Sequence, residues 1–450
     1  MEYADVVIIG GSAAGATAAV SCKRRNPGKS VIVIRKEEDV SVPCGIPYIF
    51  GTLGNPEKNL ISDMPLTNHK VKIVISAAEE IDREKKSVRT ADGEIGYDKL
   101  IIATGSLPVV LPIPGIDKEN VFLVKKDVEY LENMLNAVNN ANDIVVIGGG
   151  FIGMEFADEC KKNRQATVTI VEKLPHCLQL AFDDEFCIEA EKVVTDRGVK
   201  IVSNDTVSEI LGDSKVKSVR LASGLEIKAD VVIASIGVAP STELAVKAGL
   251  RIDGATGGIV VDRYQRVDRE ADILACGDCA MKVSFFSGKP VKTWLASIAT
   301  NEARLASANL FSTKYHGLGA LGVFSTQFGD HAIAAAGLTE RQAQVEGYDI
   351  VIGRANAPSK HPGAMPGAVP TSVKLVFSKN DGAILGGEAS GGVSVGELIN
   401  VISCSIQHKM TAYQVSLFQM GTHPALCSSP IAYQSVNAAE EAVMKLVQAK

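Results

Sequence analysis

The stretch Ile144-Val145-Val146-Ile147-Gly148-Gly149-Gly150-Phe151-Ile152-Gly153 joins an apolar run to the glycine pattern G-x-G-x-x-G. A helical segment, Met154–Cys160, and a second apolar run, Val168–Val171, follow. This order predicts a βαβ unit that binds a dinucleotide pyrophosphate at a helix N-terminus. Glu172 ends the second strand, where a carboxylate holds ribose hydroxyls and repels a 2′-phosphate. The stretch therefore predicts a nicotinamide dinucleotide site that favours NADH over NADPH, with neighbouring Lys173 moderating the preference.

A second loop of this kind lies near the N-terminus. The apolar run Val6–Ile9 precedes Gly10-Gly11-Ser12-Ala13-Ala14-Gly15, in which Ser12 takes the middle glycine position. A helix of small residues and the strand Val31–Ile34 complete another βαβ unit. Arg35 stands at the ribose position, which is usually acidic, and Lys36 and Glu37 follow it; Glu37 is the candidate to hold the ribose in place of the usual acid. The chain is therefore expected to bind two dinucleotides.

The composition of the whole chain narrows the classes of function. A length of 450 residues suggests about three domains. The net charge of -6 without blocks of like charge argues against nucleic acid and anionic membranes as partners. The N-terminus enters an apolar strand without a basic region, and nine scattered cysteines do not suggest a disulfide framework. A cytoplasmic location is expected, and the isolated pair Cys276 and Cys279 predicts no metal site.

Two further motifs complete the set. Ala103-Thr104-Gly105 follows the apolar run Leu100–Ile102, and Asp278 ends the segment Ile273–Asp278. Together with the paired loops they resemble the pyridine nucleotide-disulfide oxidoreductases, flavoproteins with two dinucleotide-binding domains. By that resemblance the first loop, Thr104-Gly105 and Asp278 hold FAD. The second loop and Gly237 are assigned to the nicotinamide cofactor.

The resemblance also implies a domain plan. It predicts an α/β fold with two Rossmann-like domains of the glutathione-reductase type and an α+β dimerisation domain. The expected borders are 1–112 with 251–322 for FAD, 113–250 for the nicotinamide cofactor and 323–450 for dimerisation. The implied assembly is a homodimer in which the partner's C-terminal domain completes each active site.

Cys44 is the predicted redox centre. It lies in Pro43-Cys44-Gly45-Ile46-Pro47-Tyr48, where a following helix is expected to point its N-terminus at the flavin and favour the thiolate. Cys-Gly-Ile-Pro-Tyr resembles the single-cysteine branch of the family: coenzyme A-disulfide reductases, NADH oxidases, NADH peroxidases and persulfide or polysulfide reductases. Relatives with two cysteines separate them by four residues, but Asp39 and Ile49 occupy those positions here. Electrons are therefore expected to leave through one cysteine.

Departures from each branch leave the electron acceptor open. Ala13 stands where peroxidases and many oxidases carry a histidine, whereas Lys23-Arg24-Arg25 lies where coenzyme A-disulfide reductases bind coenzyme A phosphates. Two tyrosines of those reductases are absent, one of them before Pro366-Gly367. His423 resembles the C-terminal base of dihydrolipoamide dehydrogenase, although Ser428 replaces the glutamate that orients that base.

Three residues have a functional and a packing interpretation. Glu155 resembles a glutamate that faces the nicotinamide, Phe151 resembles an aromatic lid over the flavin, and Cys427 is a candidate second thiol. The leading hypothesis passes hydride from NADH through FAD and Cys44 to coenzyme A disulfide, a persulfide or a polysulfide. The alternatives are an NADH oxidase in which Cys44 cycles through a sulfenate, and a flavin-bound sensor or electron-transfer subunit.

Overall fold

The computed structural model describes residues 2–448. The strands are β1 Glu2–Ile9, β2 Val31–Arg35, β3 Lys72–Ile75, β4 Ala78–Asp82, β5 Ser87–Thr90, β6 Gly93–Ile102, β7 Ser106–Pro108, β8 Val121–Leu123, β9 Asp143–Ile147, β10 Thr167–Val171, β11 Val199–Val202, β12 Val207–Leu211, β13 Ser218–Leu221, β14 Glu226–Lys228, β15 Val231–Ala234, β16 Val238–Pro240, β17 Ile273–Ala275, β18 Lys282–Val283, β19 Pro290–Val291, β20 Val323–Phe328, β21 His331–Gly337, β22 Ile350–Pro358, β23 Pro370–Ser378 and β24 Ile384–Gly391. The α-helices are α1 Ala13–Arg25, α2 Met64–Asn68, α3 Val128–Asn139, α4 Phe151–Lys161, α5 Asp184–Asp196, α6 Glu243–Lys247, α7 Ala296–Asn309, α8 Glu340–Val345, α9 Val395–Gln407, α10 Ala412–Ser416 and α11 Gln434–Gln448.

The chain forms two compact units. The first unit comprises the residues up to Leu111, Leu123–Asn136 and Ile236–Leu321. The second unit comprises Pro112–Phe122, Ala137–Ser235 and the residues from Gly322 onward. This division does not separate the predicted nicotinamide and dimerisation segments, so the three-domain borders stay a prediction.

The first unit is built on a sheet in the order β3-β2-β1-β6-β5-β4. Strands β1, β2, β3 and β6 run parallel, and the last three residues of β6 pair with parallel β17. The register sets Ile9 beside Ile34 and Ile102, and Ile102 beside Ala275. Four strands therefore end at one edge, which collects the first glycine loop, Arg35, Ala103 and the segment before Asp278.

The second unit repeats this arrangement. Strands β11-β10-β9-β15 form a parallel sheet in which Ile147 pairs with Val171 and Ala234. Strands β12-β13-β14 form the predicted meander, and β20-β21-β24-β23-β22 form an antiparallel sheet that α9 and α11 contact. The central parallel strands are buried and rich in Val and Ile, as expected where helices cover both faces. The predicted fold class is confirmed. No helix within residues 2–448 is long and apolar enough to span a bilayer.

Candidate active site

The first glycine loop needs glycine because backbone approaches it closely. Gly10 has φ +112°, and a Cβ on Gly10 would overlap the carbonyl oxygen of Ala103. A Cβ on Gly15 would overlap the carbonyl of Gly10. Ser12 precedes α1, and its hydroxyl makes no capping hydrogen bond to the helix. The loop thus ends at the N-terminus of α1, whose first N–H groups have no partner within the helix, and this is the geometry that a pyrophosphate site requires.

Arg35 is occupied by the protein itself. Its guanidinium makes a bidentate pair with Asp63, at 2.6 and 2.7 Å, and donates to the backbone carbonyls of Glu37 and Glu38 at 2.9 and 2.7 Å. Only 5% of Arg35 is exposed, and a Cβ on Gly11 would press against the Arg35 stem. The Arg35 side chain therefore packs against the glycine loop, and Asp63 pairs with its positive charge. Asp63 was not among the residues predicted from the sequence.

The Thr104 and Asp278 motifs are linked to each other. The Ser106 hydroxyl donates to Asp278 Oδ2 at 2.8 Å, and the Thr104 hydroxyl donates to the carbonyl of Ser241 at 2.6 Å. Gly277, next to Asp278, has φ +76°, and a Cβ there would crowd the Ala14 side chain. The three predicted FAD motifs thus lie in direct contact within the first unit.

A buried ion pair that the sequence did not reveal supports this turn. Glu302 Oε2 lies 2.9 Å from Lys282 Nζ and accepts the N–H of Gly277 at 2.9 Å. Lys282 also donates to the carbonyls of Gly277 and Ala280. Burial raises the pKa of Glu302, and the lysine opposes that shift. The pair therefore fixes the backbone of Gly277, directly before Asp278.

Cys44 is exposed on a short turn. It lies within the 3₁₀-helix Pro43–Gly45, which is followed by a second 3₁₀-helix, Pro47–Phe50. A helix thus follows Cys44, as predicted, but it is a short 3₁₀-helix that starts at Pro47, a residue without the N–H that an α-helix running through this turn would need. That its N-terminus faces the flavin stays a prediction. Asn59 supports the turn: its side chain donates to Val42 O at 2.9 Å and packs so closely against Gly45 that a Cβ would overlap.

The second glycine loop has the geometry of the first. Gly148 has φ +98° beside the carbonyl of Ser235, and a Cβ on Gly153 would overlap the carbonyl of Gly148. Gly150, by contrast, has no heavy atom within 4 Å of its Cβ position. Helix α4 starts at Phe151. The loop therefore leaves open space directly before a helix N-terminus, as the backbone approach of a pyrophosphate requires.

Backbone N–H groups of the second glycine loop and of the turn after β10 hold Glu172 in place. Its two carboxylate oxygens accept the N–H groups of Gly149 and Leu174 at 2.6 and 2.7 Å, and 9% of the residue is exposed. The buried Cys177 thiol packs against Gly149, where a Cβ would overlap its sulfur. A carboxylate oxygen has two lone pairs, so Glu172 keeps acceptor capacity for ribose hydroxyls.

Glu155 and Phe151 have partners inside the second unit. The Thr326 hydroxyl donates to Glu155 Oε1 at 2.8 Å, and burial raises the pKa of Glu155 to about 7. The Phe151 ring stacks on Phe324 with centroids 5.2 Å apart and lies 5.9 Å from Phe182. Packing therefore accounts for Phe151, and its role as a flavin lid stays a prediction.

The basic cluster at the end of α1 is also engaged. Lys23 donates to the carbonyls of Pro27 and Lys29 at 2.9 and 2.7 Å. Arg24 Nε lies 3.2 Å from His69 Nε2, and the Arg25 guanidinium lies 5.9 Å from the centre of the Tyr315 ring. These contacts close the C-terminal end of the helix. A phosphate-binding role stays a prediction.

His423 lies in an exposed loop of the second unit. Its Nδ1 accepts the N–H of Ala425 at 3.2 Å, and its own backbone N–H points at Cys427 Sγ at 3.3 Å. Ser428, at the position of the expected glutamate, is buried and donates to the carbonyl of Pro358 at 2.6 Å. Ser428 therefore anchors the loop without contacting the His423 ring.

Comparison with protein families agrees with the two glycine loops. The family described as pyridine nucleotide-disulphide oxidoreductase matches residues 4–303. The chain belongs to this family. The dimerisation domain of the pyridine nucleotide-disulphide oxidoreductases matches residues 323–431.

Several relatives cover most of this oxidoreductase. An NADH oxidase of Methanocaldococcus jannaschii is 28% identical over 98% of the chain and 99% of the relative. A CoA-dependent NAD(P)H sulfur oxidoreductase of Pyrococcus abyssi is 33% identical over 86% of the chain and 87% of the relative. The solved structure of an NAD-dependent persulfide reductase from A. fulgidus has a TM-score of 0.89 and 30% identity, covering 98% of this chain and 84% of that one.

Enzymes of this family depend on FAD and NAD(P)H, so the chain is an FAD-dependent NAD(P)H oxidoreductase. The residues present fit both cofactors. In each loop two glycines leave no room for a Cβ, and each loop opens at a helix N-terminus. The roles of individual residues at these sites remain predictions.

The raised pKa of Glu155 predicts a pH-dependent cost to the oxidoreductase fold. Burial raises this pKa from 4.5 to about 7, so the folded chain holds a proton that the unfolded chain releases. The free energy of unfolding therefore includes a contribution from the protonated Glu155 that is fully present below pH 4.5. This contribution, about 1–3 kcal/mol, is lost as the pH rises through 7. We expect Glu155→Gln to raise Tm at pH 8 more than at pH 5 in calorimetry of the FAD-loaded protein. Glu132→Gln, at an exposed site, is the control, and equal shifts at both pH values would contradict the prediction.

Proposed function

We propose that this enzyme transfers electrons from NADH through FAD and Cys44 to a disulfide or persulfide of a small thiol, with coenzyme A as the first candidate. The main observation behind this proposal is that the Cys44 thiol is exposed. Within the described residues of the first unit, the other cysteines, Cys22, Cys276 and Cys279, are fully buried, and desolvation raises their pKa. Cys44 alone in that unit can meet a substrate and has no thiol close in sequence with which to form a disulfide.

The names of two relatives support a sulfur acceptor. The Pyrococcus abyssi relative is a CoA-dependent sulfur oxidoreductase, and the A. fulgidus structure is a persulfide reductase. The Methanocaldococcus jannaschii relative is an NADH oxidase and supports oxygen as the alternative acceptor. Ala13 favours sulfur, because a methyl side chain supplies no acid or base beside the FAD loop.

Each proposed role combines the position of a residue in this chain with the pattern of its family. The N–H groups at the start of α1, with the Ser12 hydroxyl, bind the FAD pyrophosphate, and Asp278 binds the ribityl end. The loop before α4 binds the nicotinamide cofactor, and Glu172 accepts its ribose hydroxyls and disfavours a 2′-phosphate. When bound, FAD accepts hydride from NADH and supplies an electron pair for sulfur reduction.

The Cys44 chemistry balances as a disulfide exchange. The Cys44 thiolate attacks one sulfur of R–S–S–R, forming a Cys44–S–S–R bond while R–S⁻ leaves and takes up a proton. Two electrons and a proton then split the Cys44–S–S–R bond into thiolate and R–SH. The net reaction is R–S–S–R + NADH + H⁺ → 2 R–SH + NAD⁺.

The C-terminal segment is proposed to complete the site in a homodimer. The dimerisation domain supports the dimer. Large apolar side chains on its last segments are exposed in the single chain: Tyr413, Leu417, Leu426 and Ile431. A partner subunit would cover such a surface, since exposed apolar groups of this size favour association.

The proposal is tested by anaerobic titration of the purified holoenzyme with NADH, joined to mass spectrometry of Cys44. We expect two NADH equivalents per FAD, one for the flavin and one for a mixed disulfide on Cys44, and a mass increment that dithiothreitol removes. Coenzyme A disulfide or a persulfide should then reoxidise the reduced enzyme without oxygen. Reoxidation by oxygen alone, with one equivalent consumed, would instead support the NADH oxidase.

A further inference from the structure

Arg35 occupies the end of β2, the position from which an acidic side chain ordinarily accepts the ribose hydroxyls of a bound dinucleotide. A guanidinium has five N–H donors and no acceptor. Four of these donors are used within the protein, two by the carboxylate of Asp63 and two by the carbonyls of Glu37 and Glu38. Arg35 therefore cannot replace the missing acid.

Asp63 brings a carboxylate to this position from a different part of the chain. The Arg35 stem lies against Gly11 of the first glycine loop, since a Cβ on Gly11 would come within 2.5 Å of Arg35 Cδ. The guanidinium at the end of that stem lies 2.6 and 2.7 Å from the two carboxylate oxygens of Asp63. The acid that is absent from position 35 is thus held beside it by a residue that follows 28 positions later.

The Asp63 carboxylate has unused acceptor capacity. Asp63 precedes α2, but its side chain makes no capping hydrogen bond to that helix. Within residues 2–448 its side-chain oxygens are bonded to Arg35 alone. The exposed fraction of the Asp63 side chain is 37%, against 4% for Arg35. Because each carboxylate oxygen has two lone pairs, one on each oxygen is left for a hydroxyl donor.

Glu37, the residue that the sequence suggested for the ribose, is placed differently. Its backbone carbonyl accepts Arg35 Nε at 2.9 Å, whereas its carboxylate lies 3.6 Å from the exposed ammonium of Lys36. In the part of the chain that the structure describes, no hydrogen bond or ion pair joins the Glu37 carboxylate to Arg35 or to the glycine loop. Glu37 therefore contributes its backbone to the support of Arg35.

We propose that Asp63 accepts the adenosine ribose hydroxyls of FAD, and that Arg35 is a positioning residue that holds the Asp63 carboxylate beside the first glycine loop. This inference rests on the proposed assignment of that loop to FAD. The bidentate pair uses the two lone pairs that face the guanidinium, so the other two point away from it. An aspartate and an arginine thus take the place of the single acid that the family pattern has at the end of β2.

The test measures how fast the flavin leaves the holoenzyme, followed as the rise in flavin fluorescence after dilution. Each enzyme is compared when loaded with FAD and with the analogue built on 2′,3′-dideoxyadenosine, which lacks both ribose hydroxyls. The single variants are Asp63→Asn, Glu37→Gln and the matched control Asp5→Asn, which breaks the 2.6 Å ion pair with Lys29 in the same unit. The double variant Arg35→Met/Asp63→Asn removes both charges and leaves no unpaired guanidinium. Thermal unfolding shows that each variant is folded.

We expect the wild-type enzyme to release the analogue about 10-fold faster than FAD, because the analogue lacks the hydrogen bonds from its ribose to a carboxylate. In Asp63→Asn and in the double variant the two release rates should agree within about twofold, since the acceptor is lost. Glu37→Gln and Asp5→Asn should keep the wild-type ratio.

The ratio of the two release rates separates ribose binding from support of the fold. If Asp63 only stabilised the protein, Asp63→Asn would release both flavins faster by the same factor and keep the wild-type ratio, and this result would overturn the inference. Equal release of both flavins from the wild type, or a ratio lost in Glu37→Gln, would overturn it as well. Because no sulfur acceptor enters this measurement, an enzyme that no sulfur acceptor reoxidises would overturn the proposed function and leave this inference standing.

Discussion

Replacement of Cys44 by serine is expected to lower turnover with sulfur acceptors by about 100-fold or more, because serine cannot form the mixed disulfide. The effect should be confined to the second half of the reaction. Cys44 lies on an exposed turn supported by Asn59, and oxygen for sulfur is a small change there. NADH should therefore still reduce the flavin of Cys44→Ser at a rate close to wild type.

The measurement is single-turnover reoxidation under anaerobic conditions, with thermal unfolding to show that the variant is folded. Cys404→Ser is a matched control, since Cys404 is an exposed thiol on α9 in the second unit. The titration should also fall from two NADH equivalents to one in Cys44→Ser. Unchanged disulfide turnover in this variant would remove Cys44 from the mechanism.

The largest expected effect on stability comes from Lys374, at the centre of a buried cluster of charges. Its ammonium lies 2.8 Å from Asp183, 3.0 Å from Glu185 and Glu340, and 3.8 Å from Glu388. Burial alone would lower the pKa of Lys374, but the hydrogen bond with Asp183 and the charge of Glu388 raise it. Burial and Asp183 raise the pKa of Glu388. The Lys374 charge therefore offsets the repulsion among these four carboxyl groups.

Lys374→Met should destabilise the second unit by about 3–5 kcal/mol, because it leaves buried carboxylates without a counter-charge. Asp183 also accepts the N–H of Glu340, at the start of α8, so the cluster joins two helix starts to the C-terminal sheet. Denaturant unfolding of the FAD-loaded protein would measure the loss. Lys379→Met is the control: Lys379 pairs with Asp349 at 2.8 Å but is exposed, and its loss should cost less than about 1 kcal/mol. Equal effects of the two changes would contradict the buried-cluster argument.

The local parts of the site were predictable from the sequence. Both glycine loops, with the strands before them and the helices after them, lie where the pattern placed them, because those patterns act over a few residues. Asp63, Lys282 and Glu302 were not predictable, since each acts on a residue 20 or more positions away: Asp63 on Arg35, and the other two on one another.

Two local features around the predicted catalytic residues could not be read from the sequence, for a physical reason. A helix does follow Cys44, but it is the short 3₁₀-helix Pro47–Phe50, because Pro47 lacks the N–H that an α-helix running through this turn would need. His423 was predicted from its position beside Pro424, and its role stays a prediction; sequence position does not reveal that its Nδ1 accepts the N–H of Ala425. Hydrogen bonding of that kind depends on how a loop turns, which no periodic pattern encodes.

The packing of Arg35 has a consequence for consensus-based engineering. Restoring an acidic residue at position 35 would place two carboxyl groups side by side, since Asp63 already stands against that position. It would also remove the aliphatic stem that covers Gly11 and free the carbonyls of Glu37 and Glu38. Positions 35 and 63 should therefore be changed together. In a library that varies only one of them, most variants would lose this ion pair and be destabilised.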